Sequence, residues 1–203
     1  MIMFKPVPVA AVALWLAGST FAATVGQSAP AFTATDAAGK AVSLADFKGR
    51  TVVLEWVNPG CPYVRKHYDS ANMQAAQRRA TDQGVVWLAV NSTAQGHYDY
   101  RSPAEMAAWM QSQQAAATAT LMDSDGKVGR AFGARTTPHM YIVDAKGTLV
   151  YAGGIDDKPS SNAADVKTAK NHVNAALADI AAGKPVAQAV TRPYGCSIKY
   201  SDG

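Results

Sequence analysis

The chain is poor in cysteine: 203 residues include two, Cys61 and Cys196, and neither belongs to a C-x-x-C pair. That excludes a small disulfide-stapled scaffold and a local dithiol switch. With four histidines besides, the supply of soft ligands is too thin and scattered for a structural zinc site. Charge of one sign is also scarce. Lys and Arg number 19 against 15 Asp and Glu, a net +4 with no dense run, so the basic stripe of a nucleic-acid binder is missing. Beyond the first 22 residues nothing approaches the roughly 20 apolar residues of a membrane-spanning helix. Internal repeats and low-complexity blocks are absent, and no motif calls for a cofactor or a metal.

What is present is a normal core composition, 48% hydrophobic, in a length that suits one domain. Residues 1–22 read as a signal peptide. Lys5 supplies the positive start, residues 9–17 a short apolar run, and Ala22 a small residue at the expected cut. The expectation is an exported, periplasmic protein starting near Ala23, with no stable membrane insertion after processing. A domain is expected over residues 23–182 and a tail carrying Cys196 over 183–203. Export matters for the cysteines, because disulfide chemistry is favoured outside the cytosol.

Short strands are expected at residues 31–34 and 41–44, around a turn at 36–39. The apolar run 51–57 predicts a buried strand, which Asn58-Pro59-Gly60 breaks. One long helix is expected from Pro62 to about Asp82, then a buried strand over 85–90. Ser102-Pro103 opens another helix, with Met106, Trp109 and Met110 on one face. A strand at 119–122, a helical turn at 126–132, a hairpin of 140–143 with 148–151, and an amphipathic helix at 166–181 complete the pattern. Strands separated by helices and closed by a hairpin and helix predict an α/β sandwich.

Cys61-Pro62 carries the chemistry. Proline suits the first helical position, where its missing N–H costs nothing, so Cys61 is expected at the helix N-cap. There its sulfur would face unpaired N–H groups and the positive end of the dipole, which favour thiolate. A thiol of pKa near 8.5 is only about 3% ionised at pH 7. Arg65, one turn on, is expected on the same face and would add to the effect. The plainer alternative is a buried small hydrophobe that happens to precede proline.

Two segments make the resemblance specific. Asp46-Phe47-Lys48-Gly49, a buried strand and then Glu55-Trp56-Val57-Asn58-Pro59-Gly60-Cys61-Pro62 form the first. The second is Phe132-Gly133-Ala134-Arg135-Thr136-Thr137-Pro138, followed by Tyr141-Ile142-Val143-Asp144 and Gly147. Over residues 25–182 the chain resembles thioredoxin-like redoxins of the alkyl hydroperoxide reductase and thiol-specific antioxidant superfamily. The resemblance implies a thioredoxin fold, a central mixed β-sheet flanked by helices, here with an N-terminal β-hairpin extension. It also implies a cis Thr137–Pro138 bond opposite the active cysteine.

The chain departs from its relatives in telling places. Thioredoxin carries a second Cys where Val64 stands, and peroxiredoxins a Thr where Asn58 stands. What remains is a single N-cap cysteine. The expected function is an exported thiol oxidoreductase in which Cys61 attacks a protein disulfide or a peroxide, Cys196 resolves the product, and an external thiol restores the enzyme. Pro138 would shape the docking surface, with Thr137, Asn58 and Trp56 beside the substrate. Glu55 stands where thioredoxin keeps a buried acid, and would serve as base; its alternative is a strand-edge residue reaching solvent. A one-cysteine peroxidase, a non-catalytic binding module stapled by Cys61–Cys196, and a copper module using Cys61 and His139 are the rival readings. His67 is expected on a different helical face from Cys61, His139 on a surface loop, and Asp156-Asp157 in a solvated turn.

Overall fold

A computed structural model describes residues 22–201. The expected signal peptide lies almost entirely outside them. The order is β1 (Thr33–Asp36), β2 (Ala41–Ser43), β3 (Val52–Trp56), α1 (Pro62–Asp69), α2 (Asn72–Asp82), β4 (Val86–Asn91), α3 (Pro103–Ser112), β5 (Ala119–Met122) and α4 (Lys127–Phe132). Then come β6 (Thr136–Thr137), β7 (His139–Val143), β8 (Leu149–Gly153), α5 (His172–Ala181) and, in the tail, β9 (Cys196–Ser197). Seven strands form one mixed sheet in the order β2-β1-β5-β4-β3-β7-β8, and β6 pairs with β9 in a separate ribbon.

Local chemistry explains the elements the sequence announces. The β1–β2 turn closes on Asp36, whose Oδ1 accepts the N–H groups of Ala38 and Lys40 at 2.9 and 2.8 Å. Helix α3 begins in a capping box: Ser102 Oγ accepts from Glu105 N–H, and the Glu105 carboxylate accepts from Ser102 N–H. In β3 and β4 every residue is buried, because both lie in the middle of the sheet with packed layers on each face.

Strand alternation divides the core in two. Val53, Val57, Trp87 and Ala89 face α1, α2, α3 and α5, meeting Val64, Tyr68, Met73, Met106 and Val173. Val52, Leu54, Trp56, Val86 and Leu88 point the other way, onto Phe32, Val128 and Phe132. Burial of each such aliphatic side chain contributes about 1.5–3 kcal/mol. The chain just after the expected cleavage point is docked too, with Ala23 N–H on Ala131 O at 3.1 Å and Gly26 N–H on Leu149 O at 2.8 Å.

Two helix expectations need correction. The long helix from Pro62 is two helices, broken at Ser70-Ala71, where Ala71 adopts φ 58°. Ser70 Oγ takes the carbonyls of Lys66 and His67, and Gln74 Nε2 takes that of Tyr68 at 2.9 Å. Side chains thus stand in for the lost helical donors. The helix expected over 166–181 is likewise divided into a 3-10 turn, Ala163–Thr168, and α5, which Asn171 caps through Asn174 N–H at 2.8 Å.

Candidate functional site

The break after β3 places Cys61. Asn58 Oδ1 accepts the N–H of Gly60 at 2.7 Å, and Asn58 O that of Cys61 at 3.1 Å. The Asn58 amide in turn donates to Thr93 Oγ1 at 2.9 Å, tying the loop to the end of β4. Asn58 is therefore a buried brace of the turn. Gly60 lets the Asp99 carboxylate approach closely, since a Cβ there would lie 2.7 Å from Asp99 Oδ1 and push it aside. Cys61 is the N-cap of α1 with Pro62 at the first helical position.

The sulfur does not behave as the N-cap argument expects. It makes no cap hydrogen bond to the helix; the thiol donates instead to the carbonyl of Thr137, at 3.0 Å. Thr137 precedes a cis peptide bond to Pro138. On its other side Thr137 lies opposite Cys196 in the antiparallel β6–β9 pair. Both cysteines are free thiols, and Cys196 lies beside Cys61, the two lining one cleft. Burial first, then the neighbouring Cys61, pushes the Cys196 thiol up to about 12. Cys196 thus keeps its proton at neutral pH.

The two thiols open on a cleft of about 270 Å³, lined also by Asn58, Thr93, Asp99, Thr137 and Lys199. Lys199 opposes the upward shift of Cys196, whereas Asp99 adds to it. Nothing local in the sequence marks Asp99 or Thr93. The Thr137 hydroxyl is buried without a partner.

Three other residues weighed for the site lie elsewhere. Arg65 points away, its side chain 63% exposed and paired with Asp69 at 3.6 Å, because an i,i+4 carboxylate on the helix surface is a nearer partner than the thiol. Trp56 faces the opposite side of the sheet from Cys61, packed on Phe132 and Tyr141 with its Nε1 on Ser92 Oγ at 3.0 Å. It lines no cleft at the thiols. His139 is buried on that same far face, accepting from Arg135 N–H at 3.3 Å and beside the Tyr141 hydroxyl. The copper pairing of Cys61 with His139 is therefore not assembled.

Glu55 is on the Cys61 side of the sheet but meets different groups. Fully buried, it accepts from Tyr68 Oη at 2.9 Å, Gln77 Nε2 at 3.0 Å and Trp87 Nε1 at 2.8 Å. It does not reach solvent. Burial raises its pKa to about 7 against the opposing effect of these three donors. Cys61 is not among the hydrogen-bond partners of the Glu55 carboxylate.

A second polar cluster lies beneath the tail, unannounced by the sequence. Lys66 and His67 of α1 are wholly buried with Asp156, contrary to the solvated turn expected there. Tyr194, two residues before Cys196, reaches into them. Its hydroxyl donates to Asp156 Oδ1 and receives from Lys66 Nζ at 3.3 Å. Asn72 donates to His67 Nδ1 at 2.8 Å, which assigns the ring proton to Nε2, facing Tyr194 Oη at 3.1 Å. Burial lowers the His67 pKa to about 4, so the ring is neutral at pH 7. An aromatic residue close to the tail cysteine was the sole sequence hint.

The model of the AhpC/TSA family matches residues 25–152, well over half of the chain. The chain belongs to the AhpC/TSA family. The thiol-disulfide oxidoreductases ResA of Bacillus thuringiensis and Bacillus cereus are each 24% identical over 133 residues, 62% of this chain and 67% of theirs. Among solved structures, an uncharacterised conserved protein of Geobacillus kaustophilus is 27% identical, with 89% of this chain and 94% of that one covered and a TM-score of 0.76. A hypothetical protein of Sinorhizobium meliloti is 25% identical, covering 90% and 98% with a TM-score of 0.74. The thioredoxin domain of a Bacteroides vulgatus thiol-disulfide oxidoreductase is 26% identical, covering 64% and 87% with a TM-score of 0.50. The fold of this family member is the thioredoxin fold.

Proposed function

We propose that this chain is an exported thiol-disulfide oxidoreductase in which Cys61 is the nucleophile and Cys196 the resolving thiol. The observation that carries the reading is the convergence of these two distant cysteines on Thr137, where they line one cleft. The ResA relatives, thiol-disulfide oxidoreductases by name, support the same class of reaction.

The cycle balances with two electrons. The Cys61 thiolate attacks one sulfur of a partner disulfide; a mixed disulfide forms and the other partner sulfur leaves as thiolate, then takes a proton. Cys196 loses its proton and attacks the Cys61 sulfur, which closes Cys61–Cys196 and releases the second partner thiol. An external dithiol then returns both cysteines to thiols by the same exchange. Pro138 shapes the wall against which the partner disulfide lies, and Asn58 holds the loop that aims Cys61.

A redox titration with thiol trapping tests this. A Cys61–Cys196 couple with a midpoint near about −200 mV belongs to an exchanging disulfide, whereas one below about −300 mV belongs to a static staple and overturns the reading. Export rests on the residues 1–22 pattern and agrees with a thiol pair meant to cycle through a disulfide. Intact-mass measurement of protein from the periplasm should show a mature chain starting near Ala23; retention of Met1 counts against it.

A further inference from the structure

Cys61 is 3% exposed, although a nucleophile for protein disulfides must be reached. The tail is what lies beside it. Strand β9 takes the edge of β6, with Thr136 opposite Ser197 and Thr137 opposite Cys196. The strand continues in register as Ile198 N–H donates to Arg135 O at 3.0 Å, and Lys199 O accepts from Ala94 N–H at 2.8 Å. The edge nearest the thiol, where an extended polypeptide would add a strand, is therefore already filled.

The fastening is concentrated at Tyr194. Its hydroxyl satisfies a buried ammonium, a carboxylate and an imidazole at once, and its ring packs on Tyr63 with Lys66 Nζ 5.3 Å from the ring centroid. Between this anchor and Cys196 stands Gly195, at φ +135°, a conformation side chains rarely take. A Cβ there would lie 2.0 Å from Thr137 O, so glycine alone allows β9 to approach so closely. Tyrosine anchor, glycine approach and cysteine follow one another as 194, 195 and 196.

We propose that β9 is a built-in occupant of the β6 edge, that Tyr194 is its latch and the positioning residue for Cys196, and that a polypeptide disulfide reaches Cys61 only when the latch opens. The inference rests on the proposed thiol exchange. It adds an order of events. The latch opens and an extended segment of the partner replaces β9; the mixed disulfide forms at Cys61. Return of Tyr194 to Lys66, His67 and Asp156 then brings Cys196 back to close its bond and displace the partner thiol.

The test compares full-length protein with Tyr194→Phe, which keeps the ring and loses the hydroxyl. Amide exchange at Ile198 should quicken about tenfold, as expected for loss of hydrogen bonds to charged groups. In a Cys196→Ser background, which isolates the first step, Tyr194→Phe should speed mixed-disulfide formation with a ten-residue disulfide-bearing peptide by a similar factor. The reaction with hydroxyethyl disulfide, small enough to enter the cleft, should change less than twofold. With both cysteines present, the effective concentration of Cys196 at Cys61, measured against glutathione, should fall about tenfold. Gly195→Ala, which lifts β9 without touching the buried cluster, should reproduce these changes if Tyr194→Phe is poorly folded. Unchanged Ile198 protection and unchanged effective concentration in folded variants overturn the latch. Failure of Cys61 to react with either disulfide defeats the proposed exchange, and amide exchange still decides the latch.

Discussion

The carbonyl of Thr137 accepts the thiol proton of Cys61 at 3.0 Å, while the same residue faces Cys196 across the β6–β9 pair. One backbone position thus sets the separation of both sulfurs. In the proposed exchange no C-x-x-C pair is needed, because β9 brings the second thiol to Cys61 from far along the chain.

Replacing Cys196 with Ser should leave the fold intact, because the residue is only partly buried and serine is of similar size. The variant should then accumulate a Cys61 mixed disulfide that wild type resolves. Non-reducing mass spectrometry after limiting oxidised substrate reads this out. Prompt release of the partner thiol from Cys196→Ser would show that Cys196 is not the resolving group.

The Cys196 thiol, pushed up to about 12 by burial and by Cys61, should alkylate slowly through the neutral range and speed up only in strong alkali. Peptide mapping after iodoacetamide pulses from pH 6 to 10 checks this. Comparable labelling of Cys196 and a free peptide thiol at pH 8 would contradict the geometry.

Glu55 should make stability depend on pH. Its folded pKa, about 7, lies above the ordinary 4.5, so the folded chain holds that proton more tightly than the unfolded one. Its contribution is most favourable below about pH 4.5 and is lost as pH rises toward 7, by about 3 kcal/mol at most. Glu55→Gln should flatten that part of the profile, raising stability relative to wild type more at pH 8 than at pH 5. Denaturant titrations at the two values measure it; equal differences at both would mean the carboxyl stays ionised in the fold.

Arg65→Ala should leave the rate of Cys61 with a small disulfide within about twofold of wild type, and should cost less than about 0.5 kcal/mol in stability. The Arg65–Asp69 pair is exposed, and such pairs contribute little. A tenfold loss of thiol reactivity would restore Arg65 to the site.

Much of this protein is legible in the linear sequence because the relevant physics is local. The Asn58-Pro59-Gly60 break, Cys61 at the N-cap and Pro62 at the first helical position follow from backbone preferences within a few residues. Burial of β3 and β4 follows from their runs of apolar side chains, and the turn at Asp36 from a side chain that bonds its own backbone. Sheet-side alternation put Glu55 and Trp56 on opposite faces, yet which face holds the thiol depends on where α1 packs. That is a tertiary matter, and it removed Trp56 and His139 from the site. The helix break at Ala71 has no glycine or proline to announce it; it forms because Ser70 and Gln74 find the freed carbonyls. Asp156 looks like a surface turn residue until Lys66, His67 and Tyr194 gather around it from two other parts of the chain. Local rules decide which backbone a segment takes. Which distant groups share a buried charge, and which cysteine meets which, is decided only when packing closes the chain, because desolvation and hydrogen bonding act through space and not along the sequence.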